Sequence, residues 1–87
     1  MTYRIGKPLE EGQSPLHMFR PKPGMVTIAV YRPDGSEAVN VTISEEPKLS
    51  DEDWHARVVF PALAALDKRI AGWPVGPFSV EDVRAAA

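Results

Sequence analysis

The chain has 87 residues, no cysteine, 44% hydrophobic residues and a net charge of −2. These values are typical of one small globular domain, so we predict a single domain over residues 1–87. The lack of cysteine excludes disulfides, thiolate catalysis and cysteine zinc sites. No apolar run approaches the length of a membrane span and no signal peptide is recognisable, so we expect a cytoplasmic protein that does not contact membranes.

The N-terminal part of the chain has little regular pattern. Residues 2–5 alternate polar and apolar side chains, which is a weak indication of a short strand. Residues 6–24 contain four prolines and are predicted to be mostly loop. Within that loop, residues 16–19 form a brief extended piece that can add an edge strand.

The clearest element is a β-hairpin over residues 25–44. Its two runs alternate apolar with other residues, the apolar ones being Val26, Ile28, Val30, Val39, Val41 and Ile43. A three-residue loop would mix valine with asparagine and threonine on one face. A symmetric four-residue loop over residues 33–36 instead places Val30 opposite Val39 and keeps one face apolar, so the pattern favours this register. The other face carries no charge and is either solvated or covered by another layer or subunit.

A long amphipathic helix is predicted over residues 50–71. Ser50 is a good N-cap and three acidic residues follow it, while Gly72 marks the C-terminal end. One arc of the helix is apolar and should face the core: Ala56, Val59, Ala62, Leu63, Leu66 and Ile70. A second apolar strip lies on another side: Trp54, Val58, Pro61 and Ala65. We expect Pro61 to kink or split the helix, and the second strip to be covered either by the C-terminal segment or by a partner.

The C-terminal segment is predicted to pack back on this helix. Residues 73–78 are apolar and extended, and Ser79 with Asp82 forms a capping box that starts a short helix over residues 79–86. The whole pattern predicts an α+β fold. A small antiparallel sheet of three or four strands, centred on the 25–44 hairpin, is packed by one kinked helix over 50–71 and by the short C-terminal helix.

The charge is unevenly distributed along the chain. Residues 33–53 contain seven acids and one lysine, whereas residues 1–32 have a local charge of +3. The acidic block is either a solvated loop with ordinary helix-start acids or a patch that docks on a basic protein surface. The candidate partner-binding residues are the acids Glu45, Glu46, Asp51, Glu52 and Asp53, with Trp54 and Phe60 as apolar anchors.

No pattern of catalytic or metal-binding residues is present. His55 lies one turn after Asp51, but no third ligand follows at a recognised spacing, so an ion pair is the simpler interpretation. A glycine-rich phosphate loop and a nucleophile elbow are both missing. We therefore expect no enzymatic activity, no metal and no cofactor.

An alternative surface lies on the sheet. The basic residues Arg20, Lys22 and Arg32 form a candidate site with Tyr31, because basic and aromatic residues interleave there. Thr42 extends the uncharged outer face. The sequence pI of about 5.6 argues against direct nucleic-acid binding through this region.

The sequence thus predicts a small non-enzymatic protein-binding module that acts by occupying the basic surface of a protein partner. By size and composition only, it fits the inhibitors of bacterial defence complexes that phages and mobile elements encode, such as anti-CRISPR proteins. The alternative is a homo-oligomeric structural or assembly subunit, for example a homodimer, that pairs through the outer sheet face or the second helix strip.

Overall fold

The structure, a computed structural model, describes residues 8–36 and 38–86. Within these ranges the strands are β1 (Leu16–Lys22), β2 (Met25–Tyr31) and β3 (Ala38–Ser44). The helical elements are α1 (Asp51–Trp54), a π-helical turn (His55–Val59), α2 (Phe60–Arg69) and α3 (Val80–Ala86). The first three run on without a break as one helix of 19 residues, which we call the long helix. The fold is α+β, as the sequence predicts.

The described strands form one antiparallel sheet in the order β1-β2-β3. β2 pairs with β3 so that Val30 lies opposite Val39 and Ile28 opposite Val41, which confirms the predicted register. The turn is closed by a hydrogen bond of 2.8 Å from the Gly35 N–H to the Arg32 carbonyl. The expected pairing of Arg32 with residue 37 lies outside the described residues, as does the predicted strand over residues 2–5.

Strand β1 is longer than its sequence pattern suggests. It continues past Phe19 through Pro21 to Lys22, although residues 6–24 were expected to be mostly loop. The pairing with β2 shifts between Phe19 and Lys22, so Pro21 lies at an irregularity, where a missing N–H is tolerated. Gly24 then supplies the positive φ of 85° that the tight turn into β2 requires.

Strand β2 is buried on both faces. Val26, Ile28 and Val30 on the inner face are fully buried, and the outer-face residues Thr27, Ala29 and Tyr31 are only 4–5% exposed. The chain itself therefore covers the outer face along β2. Along β3 the same face is more open, since Asn40 and Thr42 are exposed. The uncharged surface that the alternation predicts is therefore smaller than expected and lies mainly along β3.

The predicted disruption at Pro61 takes the form of a π-helical turn, and the long helix is not split. The Phe60 N–H donates to the His55 carbonyl five residues earlier. Proline has no N–H, and its ring would collide with the carbonyl four residues before it in a regular α-helix. The wider π-helical turn directly before Pro61 accommodates both effects.

The π-helical turn also changes which residues face the core. Val58 and Val59 are adjacent in sequence, yet both are fully buried, because the extra residue in the turn rotates the helix between them and Trp54. One expectation is corrected, since Ala56 is exposed. Val58 of the second apolar strip lies in the same core as Leu66 and Val83, and α3 packs against the π-helical turn, so at Val58 the C-terminal segment covers the strip. Pro61 of that strip stays exposed.

Both helix starts and the long helix's end follow the sequence. The Ser50 hydroxyl accepts from the Asp53 N–H at 3.2 Å. Ser79 and Asp82 form a reciprocal capping box, in which the Ser79 N–H donates to Asp82 Oδ2 at 2.7 Å. Gly72 has the positive φ of 86° expected after the end of the long helix.

The C-terminal segment closes the core. α3 packs against β1 and the π-helical turn, and its Val83 is fully buried. Trp73 and Phe78 pack partly buried on the core, with the Arg32 guanidinium 4.1 Å from the centre of the Trp73 ring. Among the described residues, no helix combines the length and apolar character needed to cross a membrane.

Candidate functional site

Glu45, the first acid of the predicted patch, is held in a cluster of three side chains. The Arg20 guanidinium donates to both of its carboxylate oxygens, at 2.7 and 3.0 Å, and the Trp54 indole N–H donates to it at 2.8 Å. The Glu45 side chain is only 13% exposed. The cluster joins β1, the end of β3 and the long helix, so Glu45 and Trp54 have a structural role that the sequence did not indicate.

The same contacts set the ionisation of Glu45. The hydrogen bond from Arg20 lowers the pKa of the Glu45 carboxyl, and the Trp54 hydrogen bond and the positive charge of Arg20 act in the same direction. Burial opposes these effects by raising the pKa, but the net shift is downward. Glu45 is thus kept as a partly buried, paired carboxylate.

Two more acids of the predicted patch face arginines. Glu46 lies 3.3 Å from Arg57, and Asp51 lies 3.5 Å from Arg84 of α3. Both pairs are exposed to solvent, where an ion pair contributes about 0–1 kcal/mol. These arginines nevertheless offset much of the negative charge that the sequence concentrates here.

Glu52 and Asp53 are the acids that remain available. Both are exposed on the first turn of the long helix. Across residues 8–36 and 38–86, neither carboxylate has an ion-pair or hydrogen-bond partner. The five-residue acidic patch therefore reduces to two unpaired carboxylates beside three acid–arginine contacts.

Phe60 is the most conspicuous surface residue. Its exposure of 55% makes it the one large hydrophobic residue that the described ranges leave open to solvent. It lies where α2 begins, and its ring centre is 6.1 Å from that of His55. Burying a large aromatic side chain is favourable by roughly 1.5–3 kcal/mol, and an exposed one gains this free energy only when a partner covers it.

Phe60 belongs to a row of exposed residues on the side of the long helix that faces away from the sheet. These residues recur at every fourth position and define what we call the outward stripe: Glu52, Ala56, Phe60, Ala64 and Lys68. Pro61 is exposed beside them, while Val59, Ala62 and Leu66 bury the opposite face. The stripe is apolar in its middle and carries one charge at each end.

The alternative surface is not assembled by the fold. Tyr31 is only 4% exposed and packs edge-on against His17, with ring centres 5.2 Å apart. Thr42 is exposed and its hydroxyl hydrogen-bonds to that of Thr27 at 2.8 Å. Lys22 lies at the opposite end of the β1–β2 pair from Tyr31, and Arg20 is engaged by Glu45. The four residues therefore do not form one basic and aromatic surface for nucleic acid.

His55 is placed to accept hydrogen bonds from Arg84 rather than to bind a metal ion. Its Nε2 atom lies 3.2 and 3.0 Å from the Arg84 guanidinium nitrogens Nε and Nη2, which also approaches Asp51. In the described part of the chain, no three histidine, aspartate or glutamate side chains are grouped as metal ligands. The Asp51–His55 pair is therefore part of an ionic contact between the long helix and α3.

A serine, a histidine and an aspartate also lie near one another between β1 and α3, where they have structural roles. Ser14, His17 and Asp82 all line a cavity of about 370 Å³ between β1 and α3. However, the Ser14 hydroxyl accepts from the Leu16 N–H at 3.2 Å, and Asp82 holds the Ser79 N–H. Ser14 and Asp82 thus complete a local turn and a helix cap, and the His17 ring packs against Tyr31, which argues against a catalytic relay between the three side chains.

Comparisons of the chain with protein-family models, with curated proteins and with solved structures found no match.

Proposed function

We propose that the protein is a non-enzymatic binding module that docks its outward stripe on a protein partner with a basic surface. The observation that carries this proposal is Phe60, which is 55% exposed in the middle of that stripe. Aromatic residues at the centre of a contact supply much of the binding energy of protein interfaces, because they bury a large area in few rotamers. Phe60 is the anchor.

Two charged residues at the start of the long helix also support the proposal. Glu52 and Asp53 lie about two turns before Phe60 and are unpaired in the described structure. Unpaired exposed carboxylates attract a basic surface and accelerate association, while contributing less to the lifetime of the complex. The partner-binding set is therefore Phe60 with Glu52 and Asp53. Glu46 and Asp51 act more weakly because of their arginines, and Glu45 and Trp54 act as supports.

The stripe is also rigid enough to bind without reorganisation. The opposite side of the helix buries Val59, Ala62 and Leu66 completely, so the helix cannot rotate without opening the core. A preorganised surface spends less free energy on ordering when it binds. A module of this kind acts by occupying its partner's surface, which is how a small protein inhibitor works.

The test is affinity capture from a lysate of the source organism with the wild-type protein, Phe60→Ala and Lys22→Ala. We expect Phe60→Ala to reduce the recovery of a specific partner at least about tenfold while leaving the melting temperature nearly unchanged, since the side chain is exposed. Lys22→Ala is the control, because Lys22 is exposed on the sheet away from the stripe. Equal recovery by Phe60→Ala and the wild type would refute the proposal.

A purified partner then separates anchoring from steering. Phe60→Ala should mainly accelerate dissociation, whereas Glu52→Lys should slow association and weaken its dependence on salt. If Glu52→Lys leaves the association rate unchanged at low salt, the acids have no steering role.

A further inference from the structure

The outward stripe is complementary to itself. Its five exposed residues form one row along the helix: Glu52, Ala56, Phe60, Ala64 and Lys68. The row has an acid at one end, a base at the other, and an alanine on each side of the central phenylalanine. From either end of the helix, the row presents a charged residue, an alanine, the phenylalanine, an alanine and a charged residue; only the sign of the first and last charge differs.

We infer that the partner that fits this row is a second copy of the chain, packed antiparallel about a two-fold axis at Phe60. In that arrangement Glu52 faces Lys68 of the second copy, Ala56 faces Ala64 of the second copy, and the two Phe60 rings meet at the centre. Such a contact is isologous and closes as a dimer. The inference rests on the proposed function, since it names the partner of the same surface, and the basic residue that Glu52 meets there is Lys68 of the second copy.

Charge selects the antiparallel arrangement. Neither Glu52 nor Lys68 has an ion-pair partner in the described residues, so both charges are available. A parallel pair of helices would bring Glu52 against Glu52 and Lys68 against Lys68, which is repulsive. The antiparallel pair brings opposite charges together at both ends.

Side-chain size permits the helices to approach. Packed helices lie with their axes about 8–10 Å apart. Ala56 and Ala64 are small and exposed on both sides of Phe60, so they leave room for the two Phe60 rings at the centre of the contact. The contact is limited to one helix face, and we expect a weak dimer that forms in a concentration-dependent way.

The test is sedimentation velocity of the purified protein between about 5 and about 500 µM. We expect the wild type to shift from monomer toward dimer over this range. Glu52→Lys and Lys68→Glu should each raise the dimer dissociation constant at least about tenfold, and the double variant should return it to within about threefold of the wild type. Phe60→Ala should remove the dimer.

The control is Glu81→Lys, which reverses an exposed first-turn acid on α3 and so imposes a similar cost at a helix start. It should leave dimerisation unchanged. A wild-type monomer at every concentration, or a double variant that dimerises no better than the single ones, would overturn the second-copy inference. If the wild type is monomeric but Phe60→Ala still loses a foreign partner in the capture experiment, the proposed function stands and only this inference fails.

Discussion

Leu66→Ala is expected to destabilise the protein by about 3–4 kcal/mol, as found for fully buried leucines whose surroundings do not collapse into the cavity. Leu66 is completely buried in the core that the long helix forms with the sheet. This loss is a large part of the total for a small domain, for which unfolding free energies are about 5–15 kcal/mol. Urea unfolding followed by circular dichroism measures it directly.

Leu63→Ala is the matched control, since it deletes the same atoms one turn earlier from a side chain that is only partly buried. We expect it to cost roughly half as much, because part of that side chain already contacts water. If Leu63→Ala lowered the unfolding free energy as much as Leu66→Ala or more, the helix face that we place in the core after the π-helical turn would be the wrong one.

Glu45→Ala is expected to cost about 2 kcal/mol. The substitution removes the acceptor of both Arg20 and Trp54, and hydrogen bonds to a charged group are each worth roughly 1.5–3 kcal/mol. We take a combined value near the lower end because the Arg20 side chain is 53% exposed and recovers hydration. Glu46→Ala, which removes an exposed partner of Arg57, should change the unfolding free energy by less than about 0.5 kcal/mol.

The pH dependence of stability gives a second measure of the Glu45 cluster. The pKa of Glu45 in the folded protein lies below its usual value of 4.5, chiefly because Arg20 hydrogen-bonds to the carboxylate. Its contribution is therefore fully present above about pH 4.5 and is lost as the pH falls through the lower, folded-state pKa. The difference in unfolding free energy between wild type and Glu45→Gln should be largest near pH 7 and shrink in acid. A difference that stays constant down to about pH 3 would show that the charge of Glu45 does not contribute to the unfolding free energy.

The pKa of Asp34 is shifted in the same direction. The hydroxyl and N–H of Ser36 hydrogen-bond to its carboxylate and lower its pKa. For that reason Glu45→Gln should reduce the acid sensitivity of the protein without removing it.

Much of the fold follows from interactions between residues that are close in sequence. The alternation of Val26, Ile28 and Val30 with their counterparts on β3 fixed the hairpin register, because a slip of one residue would turn the apolar face to solvent. The Ser50 and Ser79 caps bond within three residues of themselves. A sequence states such local preferences directly.

The features that the sequence did not predict depend on contacts between distant residues. Arg20 and Glu45 are 25 positions apart, and nothing in either local pattern indicates that they meet. The burial of Tyr31 arises from coverage of a face whose alternation reads as solvated. The π-helical turn shifted Ala56 out of the core and Val58 into it, since a fixed angle per residue cannot represent an inserted residue.

These contacts also divide the predicted site. Of its five acids, Glu45 supports the fold, Glu46 and Asp51 are paired with arginines, and Glu52 and Asp53 remain unpaired in the described residues. Of its two anchors, Trp54 donates to Glu45 and Phe60 is exposed. Our proposal keeps the region of the surface that the sequence indicates, and the contacts in the structure distinguish its paired side chains from its exposed ones.

The most direct test of the claim that the outward stripe is the contact surface is photo-crosslinking in the source organism. A benzophenone amino acid replaces Phe60 in one protein and Thr42, exposed on β3, in another. Our account predicts a defined crosslinked product from position 60, either with a partner protein or with a second copy, and none from position 42. A product from position 42 with none from position 60 would contradict it.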